Sequence, residues 1–169
     1  MEIKVTKSNN RRKTISARLV GNVIQVSAPA DIPQERLEEI VAKLKTRIEK
    51  RQQKKQLNSQ IDLHDVAHKL NHQYFGGELK IESIEYSVNQ DTIFGNCNYK
   101  NRTIRISHRL AKIPEWVRDY VIIHELAHII EPNHSESFWK LVNRYELTER
   151  AKGYLMAKGF EGEGEGELG

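Results

Sequence analysis

The segment between Pro114 and Pro132 constrains the fold more than any other. Trp116, Val117, Tyr120, Val121, Ile122, Ile123, Leu126, Ile129 and Ile130 make it apolar on almost every side of a helix. Proline suits a first helical turn and stops a helix further on, so the pattern predicts a single helix from Pro114 to about Glu131. A helix that is apolar all round is stable in water only when buried. The rest of the chain must therefore wrap around it. The segment falls short of the roughly 20 apolar residues that a membrane helix needs, and Met1 to Asn10 holds no apolar stretch like a signal peptide. The expectation is a cytoplasmic protein with no membrane partner.

Inside this helix stands His124-Glu125-Leu126-Ala127-His128. Residues four apart lie one above the other, so both imidazoles project from one face and can share a metal ion. Glu125 stands about 100° round the helix from His124, given 3.6 residues per turn. It can serve a water on the metal without being a ligand, which is the physical content of the H-E-x-x-H motif. Burying two imidazoles and a carboxylate with neither metal nor partner would cost on the order of a kcal/mol for each unsatisfied group.

A third ligand must come from elsewhere. Pro132 breaks the helix four residues after His128, and His134 follows Asn133, so the chain can fold back towards the first two rings. Asn133 and Glu136 are spaced as a capping box for the next helix. Three histidines with one open position form a recognised catalytic zinc site. The His128–His134 spacing is also that of metzincins, but Glu131 stands where those have glycine. A gluzincin-type site would instead use a downstream glutamate, Glu146 or Glu149. The helix break favours His134.

The remaining pattern predicts an α+β fold with a small, mostly antiparallel sheet packed on the helix of His124 and His128. Residues 1–30 read as a β-hairpin region, with Gly21-Asn22 as a two-residue turn. Residues 33–75 read as helices, the first thinning into a wholly polar stretch after Ile48 and the second stopped by Gly76-Gly77. Three strands are expected within 79–107, and further helices follow up to 158. A single domain over 1–160 accounts for all of them. The tail from Glu161 to Gly169 alternates acid and glycine and has nothing to bury, so disorder is expected there.

Charge is uneven. Residues 1–60 carry 14 Lys and Arg against 6 Asp and Glu, whereas residues 61–169 carry 13 against 17. A basic first third could meet a polyanion, yet no aromatic lies between Lys43 and Lys55 to stack on bases. Weak, sequence-independent contact with nucleic acid is the most this segment predicts. The single Cys97 excludes an internal disulfide. His64, His68 and His72 form a polar helical stripe without the apolar frame of the main site.

Several motifs together resemble the YgjP-like family of zinc metallopeptidases, related to WLM and SprT-like proteins. They are Arg12-Lys13-Thr14-Ile15 with Val23 to Pro29, Gly95-Asn96-Cys97 with Ile104 to Ser107, and Tyr120 to His128 with Asn133-His134-Ser135 and Phe138-Trp139. The resemblance implies a zincin-like fold, His124, His128 and His134 as zinc ligands, and Glu125 as the catalytic acid/base. The expected activity is zinc-dependent hydrolysis of peptide bonds in a peptide or protein substrate. Two alternatives remain: hydrolysis of a nucleotide phosphoanhydride, and a SprT-like protease associated with nucleic acid.

Overall fold

A computed structural model describes residues 2–158. The acidic tail, 161–169, lies outside the described residues. The chain divides into two compact units between Gln53 and Lys54.

The first unit opens with β1 (Glu2–Ser8), β2 (Ser16–Val20) and β3 (Val23–Pro29). β2 and β3 form the expected hairpin, and Gly21 takes the positive φ of 59° that such a turn asks of its first residue. β1 corrects the antiparallel expectation: it pairs with β3 in parallel, so the strand order is β1-β3-β2. The reason lies in the residues. Ile24, Val26 and Ala28 of β3 are almost wholly buried, which a central strand allows. The charged β1 and β2, with Lys4, Lys7 and Arg18, suit the edges. Helix α1 follows as Gln34–Gln60 and buries Leu37 in its first turns.

Beyond Ile48, where the polar stretch allowed α1 either to project or to end, it goes on as a helix. It continues unbroken to Gln60 through Glu, Lys, Arg and Gln, all good helix formers, aided by i,i+4 pairs such as Lys45–Glu49. Its last turns belong to the second unit. There Asn58 Oδ1 accepts from the Tyr86 backbone N–H at 2.9 Å, and Lys54 pairs with Glu85 at 2.7 Å.

The second unit then runs α2 (Leu63–Phe75), β4 (Ser83–Ser87), β5 (Gly95–Asn98), β6 (Thr103–Ser107), a 3-10 turn over His108–Lys112, α3 (Glu115–Ile130), α4 (Glu136–Val142) and α5 (Thr148–Ala157). Asp62 caps α2 by accepting from the backbone of His64 and Asp65, and Gly76 ends it in the left-handed region. The sheet order is β4-β6-β5, with β4 parallel and β5 antiparallel to β6. The sheet is therefore mixed rather than mostly antiparallel. As in the first sheet, the most apolar strand takes the centre: Ile104 and Ile106 of β6 are fully buried.

This α+β unit has the expected plan, a small sheet beside the helix of the motif. α3 sits at its heart, with Val117, Ile122, Ile123, Leu126 and Ala127 fully buried. β5, an edge strand, packs against α3 and so meets the helix at Glu125. Among the described residues no helix is long and apolar enough to cross a membrane.

Candidate metal centre

One turn of α3 separates His124 from His128, and their ring centroids lie 5.0 Å apart. The chain leaves α3 at Glu131, turns through Pro132 and Asn133, and starts α4 at Glu136. The cap of α4 is Ser135, whose hydroxyl accepts from the Phe138 N–H at 3.2 Å. This corrects the expected Asn133–Glu136 box: the shorter serine side chain reaches the first turn two residues later. The effect on His134 is the expected one. Its ring returns over α3, with centroids 5.1 Å from His124 and 4.7 Å from His128.

The three residues each offer one ring nitrogen, all within 4.8 Å of one another. His134 Nε2 and His124 Nε2 are 3.2 Å apart. At that distance one ring can donate an N–H to the bare nitrogen of the other, or two bare nitrogens can share a cation. Nitrogens held 2.0–2.1 Å from a tetrahedral zinc ion stand about 3.3 Å from each other, close to the separation here. His128 Nδ1 lies 3.1 Å from the Glu131 carbonyl, which can only accept, so Nδ1 carries the proton and Nε2 keeps its lone pair. Burial, reinforced by His128, His134 and Lys152, holds His124 well below the usual imidazole range. It therefore stays in the neutral form that a metal ligand needs. The donor set fits zinc.

Aromatic rings fix the imidazoles. Phe138, fully buried, lies 4.8, 4.5 and 4.7 Å from the ring centres of His124, His128 and His134. Trp139 stacks on His134 at 5.9 Å and meets His124 edge-on at 6.0 Å.

Glu125 is 5% exposed and points at β5. Its side chain occupies the space where a Cβ on Gly95 would stand: an ideal Cβ there would come within 2.7 Å of Glu125 Cγ and Cδ. The glycine in this strand thus makes room for the carboxylate. Cys97, two residues on, shares that side of β5. Burial, with Glu125 adding to it, pushes its thiol up to about 12.

The other candidates stand apart. Glu146 Oε2 accepts from the Tyr74 hydroxyl, and Glu149 pairs with Lys152 at 2.9 Å, so neither joins the three imidazoles. Tyr145 and Arg144 donate to the backbone carbonyls of Trp116 and Tyr74. His64, His68 and His72 are exposed along α2, with the first two rings 6.1 Å apart. Sequence reading missed Lys152, whose ammonium lies 4.4 Å from the Trp139 ring centre. Its signal was faint: a lysine on a mixed polar helix looks like any solvated charge.

Residues 83–153 match the family model of the YgjP-like metallopeptidase domain. Over that span the family resemblance read from the sequence is shown. The match includes α3, the turn to α4 and most of α5. Among solved structures, the crystal structure of the metallopeptidase zymogen of Pyrococcus abyssi abylysin is similar at 23% identity and a TM-score of 0.48, covering 56% of this chain and 92% of that one. No curated protein matches the chain.

Proposed function

We propose that the protein is a zinc-dependent peptidase, with His124, His128 and His134 as zinc ligands and Glu125 as the general base and acid. The observation that carries this reading is the convergence of three ring nitrogens within 4.8 Å of one another, beside the helix that also carries a buried carboxylate. The match to a metallopeptidase domain supports the same reaction class. Bound zinc would supply Lewis acidity, polarising the scissile carbonyl and bringing the pKa of a coordinated water to about 7.

The chain's own residues do the rest. The Glu125 carboxylate takes a proton from the attacking water and passes it to the departing amine nitrogen. Gly95 leaves room for that carboxylate against β5. Phe138 and Trp139 pack the imidazoles so that their lone pairs stay aimed at one point. β5 is an edge strand, so an extended peptide can add alongside it by backbone pairing, which sets the register of the scissile bond.

The test is one preparation of purified protein, assayed for bound metal and for hydrolysis of unstructured peptides and of nucleoside triphosphates. The reading expects one zinc per chain, peptide cleavage that a chelator abolishes, and no nucleotide hydrolysis. Chelator-sensitive nucleotide hydrolysis with intact peptides would overturn it.

A further inference from the structure

We propose that Lys152, held over the indole of Trp139, is a specificity-determining residue that takes a carboxylate of the substrate beside the scissile bond. The inference rests on the peptidase reading above. Its basis is a shared ring. The Trp139 indole stacks on His134 at 5.9 Å and touches His124 edge-on, and the Lys152 ammonium lies 4.4 Å from the centre of that same indole. A cation is thus fixed next to two of the three imidazoles.

Three features make it a binding group rather than a solvated charge. The Lys152 side chain is only 30% exposed, less than a freely solvated lysine would be. The indole face attracts the charge without using any of its N–H donors. Its ion-pair partner, Glu149, is 81% exposed. Such a surface pair is weak and leaves ammonium donors to spare, so an incoming carboxylate can join or displace Glu149. A peptide offers that chemistry in two forms, an acidic side chain near the cleaved bond or the chain's own C-terminal carboxylate.

The test uses the zinc-loaded full chain and three peptides that differ only near the cleaved bond. One carries Glu beside it, one carries Gln with an amidated C-terminus, and one carries Gln with a free C-terminus nearby. The expected result is kcat/KM about tenfold higher for a carboxylate-bearing peptide than for the neutral one, expressed mainly in KM, as befits a charge-assisted hydrogen bond. Which of the two peptides gains identifies the source of the carboxylate. In Lys152→Gln the ratio should fall to about one, in Lys152→Arg it should survive, and in Lys152→Glu it should fall below one. The same ordering should appear in the Kd values of the Glu125→Gln protein, followed by tryptophan fluorescence without turnover.

A ratio of one in the unmodified protein, or a preference unchanged in Lys152→Gln, would overturn the inference while leaving the peptidase reading intact. Failure to cleave any peptide would overturn both.

Discussion

Replacing Gly95 with alanine adds one methyl group at the point where Glu125 rests. An ideal Cβ at Gly95 would lie 2.7 Å from both Cγ and Cδ of Glu125, whereas carbons pack at about 3.5–4.0 Å. The carboxylate must therefore retreat by about 1 Å. Glu125 has little room to do so, being 5% exposed on a helix that is itself buried. Displacing a reacting group by about 1 Å can cost on the order of 100-fold in rate. Overpacking of this kind also costs about 1–3 kcal/mol of stability. A smaller unfolded ensemble returns about 0.4–1 kcal/mol, since Gly95 does not take a positive φ and its backbone accepts alanine. The expected outcome for Gly95→Ala is a drop in kcat of about 100-fold with KM little changed, a net destabilisation of about 1–2 kcal/mol, and full zinc content. Peptide hydrolysis, metal analysis and thermal unfolding on one sample measure all three. Gly153→Ala is the control, because nothing lies within 4 Å of its Cβ position on α5. It should stabilise by about 0.5–1 kcal/mol and leave turnover alone. Undiminished kcat in Gly95→Ala would refute the claim that this glycine positions the general base.

The remaining predictions are brief. Glu125→Gln should lose at least about 100-fold in kcat while keeping its zinc, because the amide preserves shape but cannot accept a proton; loss of zinc instead would make Glu125 a ligand. Cys97, with its thiol raised to about 12, should react slowly with thiol reagents at pH 8. Because the shift is upward, its rate should climb only as the pH nears that value, and denaturant should bring the rate at pH 8 to that of an ordinary thiol. The basic run from Lys43 to Lys55 should bind DNA weakly and lose it towards physiological salt, with cleavage unaffected by its presence; DNA-dependent cleavage would instead favour a nucleic-acid-associated protease.

The parts of the fold that were legible in the sequence depend on local chemistry. α3 announced itself by two flanking prolines and an apolar surface, and the turn carrying His134 followed from Pro132. The hairpin at Gly21 and the stop at Gly76 need only the conformational freedom of glycine. Strand partners were not legible, because alternation of apolar and polar residues says which face is buried and not which strand lies alongside. That is why β1 and β4 were not foreseen as parallel neighbours of β3 and β6. The sequence left open whether α1 projects or ends past Ile48, because Asn58 and Lys54 find partners on β4 that are distant in sequence. Gly95 was noticed, but its purpose depends on which side chain meets β5 in space. Lys152 and Trp139 meet only because α4 and α5 both pack on α3.

The central claim is that His124, His128 and His134 hold one zinc ion. Diffraction from the zinc-loaded protein at the zinc absorption edge tests it most directly. The account predicts a single anomalous peak with three imidazole nitrogens at about 2.0–2.1 Å. A peak ligated by Glu146 or Glu149 in place of His134, or no peak between these rings, would contradict it.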